Sequence, residues 1–508
     1  MTREQLEQLS KSELVEIILR QQALIEQLQA RVAQLEEFVN RLTQPPKDAS
    51  NSSTPPSKTR KPNRPNRKSH AKRGPKPGHT GAGRTRQAPD VIVECRPASC
   101  DHCGADLPQV GGRLLGTSQV IEIPPVQPVV IEARRYGGAC PNCGRPQAGE
   151  YPASLEPQRV FGPRLEALVC YFHHVQHVSY ERLVSLFRGL FGLTLSQGAL
   201  ANIIARAAVG LQPQAAAIGR QVRASPVIGS DETGARVDGR NQWQWVFETA
   251  QASFHLIATS RGARVIADFM GDARPEVWIS DCFSAQLKAP AEARQLCHAH
   301  QLRDLQFAID AERSEFAYRM QRLLLRAQGL AKRQADLSAE LFADEVAQIE
   351  AACDALLSTP ASGRHGRRLQ KRYRKHREAL FAFLYRADVS PDNNACERAL
   401  RKSVVHRKVS GGFRSEWGAA AFATMATVIE TAAKRGEDAL CVLTSLLTPG
   451  APSCRSLSPR SHKVSSYPQL CPSTVPSAHL PVGGAHDHLA HTIALQVRQA
   501  RGEGMHRH

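Results

Sequence analysis

The sequence predicts a multidomain chain of α and α/β units, on three observations. Its 508 residues exceed one ordinary domain and can support several cores. The apolar pattern begins as heptads and later becomes short β-branched runs that end in acids. Between these regions lie two Cys-x-x-Cys pairs, the mark of a small domain stapled by a metal.

The balance of charge narrows the partners. A formal net charge of +19, from 66 Lys plus Arg against 47 Asp plus Glu, points to a polyanion, nucleic acid before membrane. Apolar stretches are broken by charges well before the roughly 18 residues of a membrane span. The N-terminus lacks the apolar core of a signal peptide, so a cytoplasmic protein with no membrane contact is expected. Thirteen cysteines, four of them in the two pairs, suit metal binding in a reducing compartment better than a disulfide framework.

Residues 1–44 are expected to form a coiled coil. Placing Ile18, Ile25, Val32 and Val39 at heptad position a puts Leu14, Gln21, Leu28, Leu35 and Leu42 at d. β-Branched residues at a with Leu at d favour a parallel two-stranded coil, so a homodimer or higher oligomer follows. Arg31 and Glu36 fall at g and the next e, where they pair between helices, and Gln21 helps fix register. One amphipathic helix packed on its own protein fits the same period. Pro45 stops the helix, and residues 45–89 read as a basic disordered linker. Lys58 to Arg86 carries eleven basic residues and no acid, a composition that does not fold alone. It lies along phosphates through counterion release, or serves as a solvated spacer.

Residues 90–152 are expected to form a zinc-ribbon-like domain. Cys100-Asp-His-Cys103-Gly and Cys140-Pro-Asn-Cys143-Gly are two knuckles whose thiolates complete a tetrahedral Zn2+ site. Leu114 to Tyr136 alternates as two strands carrying them, and the metal stabilises a domain with little core. His102 lies inside a knuckle as a bystander, and Cys95 is a weaker ligand candidate still. Residues 158–212 read as a helical DNA-binding region. Tyr180 to Phe187 is one helix, Gly192-Leu-Thr-Leu a turn, and Ser196 the N-cap of the next. That outline is a helix-turn-helix with Gln197 and Asn202 available to base edges, although helical hairpins are common without DNA.

The first part of an α/β core is assigned to 222–304. Strands Val227–Ser230, Trp243–Glu248 and Ser253–Thr259, a turn at Arg240-Asn241, a helix over Gly262–Met270 and a strand at Val277–Ser280 make an RNase H-like order. In that order the first and fourth strands are neighbours, which puts Asp231 and Asp281 side by side. Residues 305–378 read as an all-helical insertion, ending in a stripe from Gly363 to Arg377 with eight basic residues and no acid. Residues 379–447 complete the core with a third acid, Glu397, and 448–508 is a Ser-, Pro- and His-rich disordered tail.

Three acids in one place hold two magnesium (or manganese) ions, which activate an attacking hydroxyl and stabilise a leaving oxygen in phosphoryl displacement. Asp231 would bridge the ions, with Asp281 and Glu397 on either side. Glu232 follows Asp231 and projects elsewhere. Arg398 and Arg401 flank Glu397 and neutralise phosphate, as does Arg303 in Cys297-His-Ala-His-Gln-Leu-Arg303-Asp. His300 shuttles a proton or contacts the scissile phosphate, or is an ordinary polar residue. Singly, each acid is more often a cap or turn residue than a ligand.

Four blocks together resemble the IS66 family of insertion-sequence transposases: Asp231-Glu-Thr, Ser280-Asp-Cys-Phe-Ser, Cys297-His-Ala-His-Gln-Leu-Arg-Asp and Asp392-Asn-Asn-Ala-Cys-Glu397-Arg-Ala-Leu-Arg. The likeness extends through the coiled coil, linker, double Cys-x-x-Cys domain and helix-turn-helix, over roughly residues 1 to 447. It implies a DDE transposase with an RNase H-like catalytic core and the triad Asp231, Asp281 and Glu397. Such enzymes use magnesium to nick element ends with water, then join the freed 3′-hydroxyl to target DNA. The resemblance also implies small accessory proteins of the same element and a bacterial, nucleoid-associated location. Phe283 stands where the family commonly has Tyr. A catalytically inactive zinc-ribbon DNA-binding protein and a metal-dependent nuclease that does not join are the alternatives.

Overall fold

The computed structural model describes residues 10–45, 47, 51, 84–152, 155–157 and 159–448. Most of the expected linker, residues 52–83, and the tail from 449 onward lie outside the described residues.

Helix α1 (Lys11–Thr43) starts at Ser10, whose hydroxyl and Glu13 form a reciprocal capping box. Along its apolar stripe Ile18, Ile25, Leu28, Val32 and Leu35 are all more than half exposed. In the Cys-x-x-Cys region the only strands among the described residues are β1 (Gly137–Ala139) and β2 (Pro146–Ala148), which pair antiparallel on either side of the second knuckle. The strands expected between Leu114 and Tyr136 do not form. Alternation makes a strand only where one face is covered, and Leu115 and Val130 are each 92% exposed.

Helix α2 (Pro163–Cys170) passes into one π-helical turn, Tyr171–Val175. After it, α3 (Tyr180–Phe191) ends at Gly192 in the left-handed region, and Ser196 caps α4 (Gln197–Arg223) by accepting the Ala199 N–H at 3.0 Å. The expected helix, glycine turn and capped helix are present. α4 runs further than expected, because Leu200, Ile203, Ile204, Leu211, Ile218 and Val222 keep a helical period of buried residues to its end.

The central sheet contains β3 (Val227–Val237), β4 (Arg240–Glu248), β5 (Ser253–Ala258), β6 (Val277–Ser280) and β7 (Ala293–Leu296), with α5 (Ala263–Met270) between β5 and β6. Their spatial order is β5-β4-β3-β6-β7; the first three are antiparallel, and β6 and β7 join in parallel. Two expectations are corrected. Strand β3 does not stop at Asp231 but continues to Val237, because β4 goes on pairing with it after β6 has ended. The hairpin turn is Asp238-Gly239, both at positive φ, while Arg240 and Asn241 belong to β4. Asp-Gly is the dipeptide that a two-residue type I′ turn favours.

Beyond the sheet the chain is helical: α6 (His298–Glu312), α7 (Glu315–Lys332), α8 (Ala339–Ser358), α9 (Arg364–Lys375) and the short α10 (Ala382–Tyr385). Met320, Leu324, Ile349, Cys353, Leu369 and Tyr373 form their core, which is continuous with Val277, Ile279 and Leu296 of the sheet. The chain then returns as α11 (Asn394–Ser410), α12 (Glu416–Lys434) and α13 (Ala439–Leu447). Cys396, Ala399 and Leu400 of α11 pack on Val246, while the other sheet face buries Ile228, Trp245, Phe247 and Trp278 with α4 and α5. Gly229 sets the closeness of α11, since a Cβ there would lie 3.1 Å from Asn393 Oδ1 and 3.2 Å from Cys396 Sγ. Among the described residues no helix is long and apolar enough to cross a membrane.

Candidate active site

Parallel pairing of β3 with β6 runs Val227↔Val277, Ile228↔Trp278, Gly229↔Ile279 and then stops. Asp231 and Asp281 stand the same two residues beyond the last pair, so the register delivers both acids to one end of the strand junction. Successive strand residues face opposite ways. Asp231 therefore shares the α11 side with Gly229, and Glu232 faces away.

Asp231 has no ion-pair partner among the described residues. Its Oδ1 accepts the Glu232 N–H at 2.9 Å. Its carboxyl is held well above the ordinary range, first by desolvation and then by the negative charges of Glu232, Asp281 and Glu397. Asp281 is tied down by the Phe283 N–H, 2.9 Å from its Oδ1. Glu397 lies in the first turn of α11, and its Oε1 is buried without a hydrogen-bond donor. The charges of Asp281, just after β6, and Glu397 on α11 thus both reach Asp231 on β3, although among the described residues the three acids do not bring their carboxylate oxygens within 4.8 Å of one another.

Asn393 seats α11. Its backbone N–H donates to Cys297 Sγ at 3.1 Å, and its side-chain Nδ2 donates to the Ser230 carbonyl at 2.8 Å, one residue before Asp231. Glu232 is buried on the opposite face, where Arg261 donates to its Oε1 through Nε and Nη2 at 2.9 and 2.8 Å and Gln286 donates to its Oε2 at 2.8 Å. Burial still raises its carboxyl, opposed by the bonds from Gln286 and Arg261. The Arg261 guanidinium lies 4.7 Å from the Trp243 ring centre and 4.1 Å from that of Phe283, in the loop that holds Asp281. Sequence reasoning missed Asn393, Arg261, Gln286 and Cys297. Asn393 stands just before a helix and reads as a cap, although its side chain turns to the sheet instead.

The Cys297 motif is the start of a helix. His298 and His300 of α6 consequently diverge: His298 is buried, with Nε2 2.7 Å from the Leu380 carbonyl, and is structural. His300 Nδ1 lies 3.7 Å from Glu397 Oε1, and Arg303 Nη1 lies 3.6 Å from the same oxygen, so both reach the third acid. Arg398 and Arg401 are exposed and have no ion-pair partner among the described residues. Gln197 and Asn202 are exposed on the first turns of α4. In the basic stripe α9 turns Leu369 and Tyr373 inward and Arg364, Arg367, Arg368, Lys371 and Lys375 outward. Two members are diverted into ion pairs, Arg372 with Asp304 and Arg377 with Glu350 and Asp354.

Both cysteine knuckles are formed. Gly104 N donates to the Cys100 carbonyl and Gly144 N to the Cys140 carbonyl, each at 2.8 Å and each from a glycine at positive φ. Backbone hydrogen bonds, from Cys103 and then His102, lower the Cys100 thiol; Cys143 and then Asn142 do the same for Cys140. Such donors suit thiolate ligands. Among the described residues no three of Cys100, Cys103, Cys140 and Cys143 bring their sulfurs within 4.8 Å of one another.

Asp231 also predicts a response to pH. An acid whose folded pKa is raised leaves the folded state holding more protons than the unfolded one, so stability falls as pH rises from the usual carboxylate range through the raised value. Asp231→Asn removes that penalty. At pH 7 without divalent metal it is expected to raise Tm by roughly 2–4 °C, with the gain vanishing near pH 4. Thermal melts at the two pH values check it.

This geometry defines a mixed helix and sheet protein with an acidic notch at a strand junction, preceded by a cysteine-knuckle segment. Residues 158–421 match the family model described as Transposase IS66 family, and residues 97–144 match the one described as zinc-finger binding domain of transposase IS66. The first match covers more than half of the chain, and the protein belongs to the IS66 transposase family. No curated protein matches it.

Proposed function

We propose that this protein is a DDE transposase that nicks DNA at insertion-sequence ends and joins the freed 3′-ends to target DNA. The observation that carries this reading is the β3–β6 register, which delivers Asp231 and Asp281 to one strand junction under the α11 turn that bears Glu397, with Asp231 lacking any cationic partner among the described residues. Carboxylates grouped at one strand junction suit hard divalent cations, and oxygen donors with a Glu397 Oε1 that accepts no hydrogen bond fit magnesium (or manganese). When bound, that metal supplies Lewis-acid activation of the attacking hydroxyl and charge stabilisation at phosphorus. In this reading β3–β7 with α11 belongs to the RNase H-like core, and residues 305–378 are an all-helical insertion before the third acid.

The chain's other residues divide the remaining work. Asp231, Asp281 and Glu397 bind the ions; Asn393 and the Phe283 N–H orient two of these acids. Arg303 balances Glu397 and, with exposed Arg398 and Arg401, meets the phosphates. His300 contacts the scissile region. An open groove of about 460 Å³ beside α11, lined by Arg236, Arg407 and Lys408, continues the basic path away from the acids. Gln197 and Asn202 read base edges from α4, and α9 offers a phosphate-binding face.

Upstream, the exposed stripe of α1 pairs with a second copy as a parallel coiled coil. Cys100, Cys103, Cys140 and Cys143 close on Zn2+, in keeping with the zinc-finger match. Cys140→Ser is expected to lose the bound zinc that the unaltered chain keeps through dialysis, measured as metal per protein. Location on the nucleoid and dependence on small accessory proteins belong to the same reading. The deciding experiment supplies a terminal-repeat DNA, target DNA and magnesium, with and without accessory proteins. Joined 3′-ends establish the transposase; nicks without joining indicate a nuclease, and binding without nicks an inactive DNA-binding protein.

A further inference from the structure

Glu397 belongs to a second donor set. Cys297 Sγ, His300 Nδ1 or Nε2 and a Glu397 carboxylate oxygen lie within 4.8 Å of one another, and among the described residues this is the only such group. His300 Nδ1 is 3.3 Å from Cys297 Sγ and 3.7 Å from Glu397 Oε1. Around a tetrahedral ion with bonds of about 2.0–2.3 Å, ligand atoms stand roughly 3.3–3.8 Å apart. Two edges of that tetrahedron are therefore in place. Glu397 Oε1 is buried with no hydrogen-bond donor, so its lone pairs are free for an ion. The Asn393 N–H on Cys297 Sγ, at 3.1 Å, is the kind of outer contact that aims a thiolate at a metal.

Thiolate and imidazole are donors for borderline ions, and magnesium takes neither readily. We propose that Cys297, His300 and Glu397 form a site for a borderline divalent ion of the Zn2+ type, with its fourth position open. Binding replaces the Cys297 proton, which leaves to solvent. Arg303, 3.6 Å from Glu397 Oε1, opposes the incoming charge and must swing aside, which it can do because it is partly exposed. The consequence rests on the transposase reading. An ion held here claims Glu397 and withdraws it from Asp231 and Asp281, so zinc antagonises magnesium at the notch.

The probe is Co2+, titrated into the full chain after a single equivalent of zinc has been added, which the four thiolates of the knuckles take first and hold more tightly than cobalt. Expected are one further cobalt equivalent, the visible bands of four-coordinate cobalt and a near-ultraviolet thiolate-to-cobalt absorption. Cys297→Ser should abolish that absorption and weaken binding at least about tenfold, and Arg303→Gln should tighten it. Should Cys297→Ser not fold, His300→Gln gives the same tenfold reading. An unchanged spectrum and stoichiometry in these variants, or no cobalt beyond the knuckles, overturns the site. Zinc added to magnesium-dependent nicking is expected to inhibit it. The cobalt spectrum without inhibition overturns the antagonism, whereas the spectrum with no nicking in any metal supports the site and overturns the strand-cutting reading alone.

Discussion

Asp231→Asn and Glu397→Gln are each expected to lower magnesium-dependent nicking on the order of 10³-fold, while end binding changes less than about twofold. Both substitutions keep the side-chain shape and remove the negative charge, so packing against β3 and α11 should persist. The Asp231 carboxyl is held up first by desolvation and then by the charges of Glu232, Asp281 and Glu397. A labelled-end nicking gel and a mobility shift on the same DNA separate the two effects. Nicking that survived in both variants would remove these residues from the chemistry.

Arg261→Ala is the other large effect, and it acts first on stability. The Glu232 side chain is 1% exposed, and removing its guanidinium partner leaves a buried carboxylate held by Gln286 alone. Breaking a buried pair from one side costs about 3 kcal/mol. Glu232→Gln in the same chain should recover much of that loss, because a neutral amide needs no counter-charge. The stacked ring of Phe283 loses its cover as well, and its backbone N–H is what orients Asp281. The doubly altered protein should therefore refold to near-normal urea resistance and still nick slowly. Full recovery of both properties would show that Arg261 does nothing for Asp281.

Elements built from short-range signals were legible in the sequence. The heptad period announced α1, Ser196 announced α4, and β-branched runs announced β3 and β6, because caps and apolar periods are local chemistry. The neighbouring placement of Asp231 and Asp281 followed from strand order alone. The hairpin was misplaced although Asp238-Gly239 carries the turn signal. Between Leu114 and Tyr136 alternation misled, since period alone does not reveal whether a covering layer exists. Least legible were the side chains behind the acids. Arg261, Gln286 and Asn393 take their roles from partners dozens of residues or more away, which no window of sequence contains.

The position of the helices between Leu296 and Asn394 has a consequence in time. A chain leaving the ribosome can pair β3 to β7 and bring its two aspartates together while Glu397 is still unmade. Until α11 arrives and slots Asn393 beside Gly229, the notch is one acid short. Every element assigned to recognition upstream of β3 is by then complete, so under the proposed function the nascent protein would hold DNA before it could cut it.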